Sequence, residues 1–313
     1  MTGRRVVAIG GGTGLPRLLT GLLAVGASST AVVTVADDGG SSGWLRRAFG
    51  ILPPGDIRNC LVALSEDPDG DLARVFQFRF AQGDGLAGHA LGNLVIAALY
   101  EMTGSFSDAV SQAGKLLGAR GDVLPSTLAD VVLHAEDADG ASIEGQALIA
   151  CSPRIARVFL DPAEPPAYPP VLEAIAGADA VILSAGSLYT SLLPNFLVTG
   201  VLDAVRHSSA PVTYVCNVAN ARDETIGMDA ADHVEALVAH GLECAVDRVL
   251  VHDTEAVPPS GGMDVAPVVC GAAERQRIEE MGLEVIAADL ADPCDWRHHD
   301  PARLAAVLPE VIG

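Results

Sequence analysis

Short apolar runs that break into glycine, with apolar residues at helical spacing behind them, recur along the chain. Val6-Val7-Ala8-Ile9 opens into Gly10-Gly11-Gly12-Thr13-Gly14, and Leu15, Leu18, Leu19, Leu22 and Leu23 then mark one face of a helix. The pattern predicts a buried parallel strand, a tight turn and a helix. Residues 30–36 form a second β-branched run that ends in Asp37-Asp38-Gly39-Gly40-Ser41-Ser42-Gly43. Further buried strands are predicted over residues 180–183, 211–216, 248–252 and 283–287, with helices between them. The texture changes in the middle. Residues 131–133 and 143–149 flank Asp139-Gly140 as a hairpin, residues 157–160 add a strand, and the Pro-rich residues 162–170 close the segment. The fold expected is α/β: a doubly wound, mainly parallel Rossmann-like sheet with an antiparallel β-hairpin insertion. A single nucleotide-binding domain would span residues 1–313, with 122–170 as a β-rich insertion offering a dimer surface.

At 313 residues and 50% hydrophobic, the chain can bury a large core. No apolar run approaches the roughly 18 residues that a membrane helix needs. The first apolar run opens directly into a glycine turn, so neither a signal peptide nor a membrane span is expected and the protein is placed in the cytoplasm. The six cysteines are scattered with no C-x-x-C, which argues against structural zinc and a disulfide framework. A net charge of −21 argues against nucleic-acid binding. Lys115 is the sole lysine, so phosphate recognition falls to backbone amides or arginine.

Candidate chemistry gathers in the loops. The glycine turn leaves unpaired N–H groups at the start of a helix, where an anion such as a diphosphate is attracted. A ligand-free tight turn is the alternative, and the second strand tips the balance. Carboxylates about 20 residues beyond a glycine turn occupy the place where nucleotide folds hold a ribose. Asp37 and Asp38 would divide the work, one on hydroxyls and the other, Asp38, on a magnesium ion bridging phosphates. Pro53-Pro54-Gly55-Asp56 leads into another helix, with Asp56 as N-cap and Arg58 and Asn59 in the first turn. His89 begins a further helix after a glycine loop, where it would donate to a phosphate or sugar oxygen. Ala185-Gly186-Ser187-Leu188-Tyr189-Thr190-Ser191 is a second strand–turn–helix, and Asn217 ends the next strand. Ser187 lacks the G-x-S-x-G setting of a nucleophile. His298-His299-Asp300 lies in a polar terminal loop and is not read as a metal site. No catalytic residue is assigned.

Four stretches taken together resemble the gluconeogenesis-factor (YvcK-type) family, a branch of the 2-phospho-L-lactate transferase (CofD-like) superfamily. They are Gly10-Gly11-Gly12-Thr13-Gly14-Leu15, Asp37-Asp38-Gly39-Gly40-Ser41-Ser42-Gly43, Leu52-Pro53-Pro54-Gly55-Asp56-Ile57-Arg58-Asn59 and Gly186-Ser187-Leu188-Tyr189-Thr190-Ser191. Residues 85–93 and Asp232-His233-Val234 strengthen the likeness. The resemblance implies a cytoplasmic binder of a uridine-diphosphate sugar, linked to carbon metabolism, cell shape and peptidoglycan synthesis. It would act through cell-wall or metabolic regulatory proteins, as a homodimer, without established catalysis. On that pattern Gly11, Gly12, Thr13 and Gly14 hold phosphates. Asp37, Asp38, Ser41 and Ser42 line the pocket, with Gly186, Ser187, Leu188, Asn195 and Asn217 facing them. The chain departs from the family at Trp44, where a basic residue is usual, and at Ile226-Gly227-Met228, where the family often has Asp-Gly-Tyr. The alternative implied is a 2-phospho-L-lactate transferase acting on a deazaflavin in coenzyme F420 biosynthesis. Aromatic walls for such a ring are not expected in a chain only 4% aromatic.

Overall fold

A computed structural model describes residues 3–221, 223–253 and 265–313. Its strands, in chain order, are β1 (Arg5–Gly10), β2 (Ser28–Val33), β3 (Gly121–Pro125), β4 (Val132–Asp137), β5 (Ser142–Glu144), β6 (Ile155–Asp161), β7 (Ala180–Leu183), β8 (Val212–Val215), β9 (Arg248–His252) and β10 (Glu284–Ala288). Seven of them form one sheet in the order β10-β9-β8-β7-β1-β2-β3, with every pairing parallel. Strands buried on both faces read as unbroken apolar runs, which is why residues 6–9 and 180–183 show no alternation. From β1 the chain first builds outward through β2 and β3, then returns to lay β7 on the other side of β1. That reversal makes the carboxyl ends of β1 and β7 the topological switch point, the place where open parallel sheets bind ligands.

Helices cover both faces. Gly14–Ala24 buries Leu15, Leu18, Leu19 and Leu22, and its Gly21 lets Pro301–Ile312 approach closely: an added Cβ would lie 3.2 Å from Leu308 Cδ1. The β-rich stretch divides differently from the range 122–170. Gly121–Pro125 joins the main sheet, Ser29 pairing with Gly121, and the small antiparallel sheet β5-β4-β6 covers residues 132–161. Its second hairpin strand stops at Glu144, because Gly145 (φ +96°) turns the chain into the short helix Gln146–Ile149.

The two loops at the switch point touch through bare backbone. A Cβ at Gly14 would lie 1.5 Å from the Ala185 carbonyl oxygen, and one at Gly186 would lie 2.9 Å from that of Gly11. Neither clash is relieved by rotating a side chain. Gly14→Ala should therefore destabilise the fold by about 2–3 kcal/mol, the upper part of the usual range for overpacking, and lower the melting temperature by several degrees. Gly39→Ala, where φ is −87° and the nearest atom would be an ordinary 3.4 Å away, should leave the melting temperature unchanged by calorimetry.

Candidate functional site

The switch-point loops are pinned by two asparagines. Buried Asn195 donates through Nδ2 to the Gly10 carbonyl at 3.2 Å and to those of Ser191 and Leu192 at 2.9 and 3.1 Å. Asn217 donates through Nδ2 to the Gly186 carbonyl at 2.8 Å. Between the loops lies a cleft of about 280 Å³, near the lower end of ligand pockets. Of the residues anticipated from sequence, Thr13, Gly14, Gly186, Ser187 and Asn217 line it. Arg17, Asn220, Arg297, His298 and His299 line it as well and were not anticipated: Arg17 and Asn220 lie three residues beyond the anticipated Gly14 and Asn217, and residues 297–299 reach the cleft only through the sheet order. His299 is buried rather than sited in a polar loop. Its Nε2 lies 3.1 Å from the Cys216 carbonyl, and burial pushes its pKa down to about 4, so the ring stays neutral. Asp300 next to it caps the helix Pro301–Ile312.

Carboxylates of the chain itself already occupy key amides of both loops. Gly12, in the left-handed region at φ +63°, donates its N–H to Asp56 Oδ2 at 2.6 Å. Asp56 is therefore not the N-cap of Gly55–Ala63, a place held by Pro54; it stands in the first turn and points back to the glycine loop. Desolvation raises its pKa to about 6, with the nearby Asp37 charge adding to the shift and the Gly12 N–H opposing it. Glu224, almost wholly buried, plays the same part on the other side. Its Oε1 accepts from Tyr189 N–H at 2.7 Å and Thr190 N–H at 2.9 Å, and burial raises its pKa to about 7. Orphan amides at a helix start are normally satisfied by a cap, water or a ligand. Here two internal anions perform that task.

The other anticipated residues separate into neighbouring groups. Asp37 Oδ1 accepts from Gly39 N–H at 3.0 Å, and a Cβ at Gly55 would sit 2.6 Å from Ser42 Oγ and 3.6 Å from Asp37 Oδ2. Asp37, Ser42, Gly11, Gly12 and Asp56 thus converge. Asp38 turns away to accept from Ala147 N–H at 2.9 Å, tying the small sheet's helix to the second-strand loop. That hydrogen bond aims Asp38 at the small sheet, whereas the ligand and magnesium roles expected of it place it toward the glycine loop. The Leu188 side chain is fully buried in the core and is not among the residues that line the cleft. A polar chain runs behind the site. Buried Arg58 donates to Asn93 Oδ1 at 2.9 Å and Asn59 Oδ1 at 2.6 Å, Asn93 donates to Ser41 Oγ at 3.1 Å, and Ser41 Oγ lies 3.0 Å from His89 Nδ1. Desolvation lowers the Arg58 pKa to about 10, still charged at neutral pH. His89 precedes the helix Leu91–Thr103 and packs under Trp44 at 4.8 Å. Among the described residues, no cluster of three or more His, Cys, Asp or Glu side chains is arranged to hold a metal.

Comparison with known proteins places this geometry. The model of the family described as 2-phospho-L-lactate transferase CofD matches residues 6–291. The gluconeogenesis factor of Bacillus subtilis is 42% identical over 315 residues, covering 98% of each chain. A putative gluconeogenesis factor of Nostoc is 46% identical, covering 99% of this chain and 69% of its own. Among solved structures, protein BH3568 of Bacillus halodurans superposes with a TM-score of 0.90 at 39% identity, over 98% of this chain and 99% of that one.

The raised acid pKa of Glu224 sets a pH dependence. Its unfolded value is near 4.5 and its folded value about 7. The folded state takes up its proton first, so stability rises as pH falls from 8 toward 5. Glu224→Gln removes that titration. The melting temperature of the wild type should climb relative to the variant across this window, by the equivalent of roughly 2–3 kcal/mol. Parallel curves for the two proteins would show that Glu224 is ionised throughout.

Proposed function

The chain belongs to the CofD family and groups with its gluconeogenesis factors, and from that premise we propose that it is a cytoplasmic regulatory protein that binds a uridine-diphosphate sugar without turning it over. The observation that carries this reading is the pair of bare-backbone loops bounding the switch-point cleft. Thr13, Gly14, Gly186 and Ser187 offer backbone and hydroxyl groups to a diphosphate, with Arg17, Arg297 and His298 on the rim. Asp37 and Asp56 lie close enough to interact, and together with phosphate oxygens they make a setting that suits magnesium. Binding rather than catalysis is favoured by how the titratable groups are used. Asp56 holds Gly12, Glu224 holds Tyr189 and Thr190, His299 meets the Cys216 carbonyl and His89 meets Ser41. Each is engaged in maintaining a loop. The downstream role, in carbon metabolism, cell shape and peptidoglycan synthesis through regulatory partners, follows the family resemblance. The second reading, phospholactyl transfer, draws support from the name of the matched family and from Asp56, whose pKa near 6 is suited to a general base.

Calorimetric titration with UDP-N-acetylglucosamine and magnesium tests the binding reading. Thr13→Trp, at an exposed position on the cleft, should weaken binding at least about tenfold, some 1.4 kcal/mol, with an unchanged melting temperature. Unaltered affinity would move the ligand elsewhere. Asp37→Asn should change the magnesium dependence of binding, and Asp38→Asn should not. Incubation with a guanosine-diphosphate phospholactate donor and a deazaflavin acceptor should yield no product. Turnover in that mixture would establish the transferase instead.

A further inference from the structure

The exposed aromatic side chains of this chain are concentrated rather than scattered. Trp44 and Phe49, on the helix Gly40–Phe49, meet edge to face with ring centroids 6.2 Å apart, and Trp44 also covers His89. His89 lies in an antiparallel turn: Phe80 N–H donates to the His89 carbonyl, and Leu91 N–H donates to that of Phe78. Phe78 and Phe80 are 5.2 Å apart, again edge to face. The helix Asp71–Gln77 runs directly into Phe78 and exposes Leu72 and Val75 on successive turns. Of the fourteen large hydrophobic side chains exposed among the described residues, six fall in this one stretch: Trp44, Phe49, Leu72, Val75, Phe78 and Leu86.

Size and charge decide what fits there. With about 200 Å² for a fully exposed large side chain, the six leave roughly 500 Å² of apolar surface in water. One side of a standard protein interface covers about 800 Å², a little over half of it apolar, so the patch matches in area. Its composition, rich in Trp, Phe and Arg, also matches an interface core. Residues 44–90 hold five arginines and six carboxylates, close to neutrality, while the whole chain carries −21. Two copies of so acidic a protein repel one another over most of their surface, and less across this near-neutral face. Exposed Arg47 and Arg79, together with exposed Asp67 and Asp84, supply both signs for a self-complementary rim about a two-fold axis. The small antiparallel sheet offers less. Its exposed Phe159 is already stacked on His134 at 5.3 Å and covered by the Arg157 guanidinium at 5.9 Å.

We propose that two copies of this chain associate through the surface centred on Trp44 and Phe78, and not through the small antiparallel sheet. Because Trp44 rests on His89, and His89 on Ser41, such a contact covers the outer end of the polar chain that runs behind the candidate site.

Sedimentation equilibrium of the full chain between about 1 and 100 μM tests this, the expected species having twice the 32.1 kDa chain mass. Val75→Glu combined with Phe78→Glu should weaken association at least about 100-fold, with an unchanged circular dichroism spectrum. Leu72→Glu, a single change at an exposed helical position, provides the same readout should the double variant misfold. Phe159→Glu should leave the dimer intact. A wild-type protein that is monomeric at the highest concentration overturns the proposal. So does a dimer that survives the Leu72 and Val75/Phe78 changes, or one that Phe159→Glu alone dissociates.

Discussion

The approach of Gly14 to the Ala185 carbonyl is the constraint from which the rest of the switch-point edge follows. The loops after strands β1 and β7 can lie backbone against backbone only because Gly14 and Gly186 present no Cβ to the facing carbonyls. Once they do, their amides are crowded into a small volume and need acceptors. Asp56 and Glu224 supply them, each reaching in from a different part of the chain, and each is held with its acid form favoured by desolvation. The site is thus a set of amides aimed inward, partly neutralised by the protein's own carboxylates and flanked by a cleft with room for an external anion. Burying a carboxylate costs free energy, which the short hydrogen bonds from Gly12, Tyr189 and Thr190 offset.

Much of this was legible from residue order. Short apolar runs located β1, β2, β7, β8, β9 and β10 to within a few residues, because strands buried on both faces leave an unbroken apolar signal. The edge strand β3 was harder. Gly121–Pro125 carries one charged residue and pairs on one side only, so it reads as the start of the β-rich stretch rather than as part of the parallel sheet. The second hairpin strand was overextended for a related reason: apolar residues 147–149 fit a strand or a helix equally, and the conformation of Gly145 decides.

Legibility was lower at the candidate site. Loop position was readable; side-chain direction was not. Asp37 and Asp38 are neighbours in sequence, yet one converges on Asp56 and the other bonds the backbone of residue 147, and nothing in the dipeptide distinguishes them. Asp56 looked like a cap because it follows Pro-Gly, and its true partner lies 44 residues away. Glu224 lies in a turn that ends at Gly227 (φ +80°), and nothing in the residues of that turn marks its carboxylate as buried. Composition averages over the chain and does not show that Trp44 meets Phe49 and Phe78 meets Phe80 edge to face.

The sheet order also governs when the site comes into being. β1 is made before both of its neighbours; on one side β2 follows after 17 residues, residues 11–27. The other neighbour, β7, begins at Ala180. At a synthesis rate of about 5–20 residues per second, β1 waits roughly 10–35 s on the ribosome for the strand that completes its surroundings. The glycine turn spends that interval without the loop it packs against. A ligand held between the two loops therefore has no place to bind until β7 and the loop behind it have emerged.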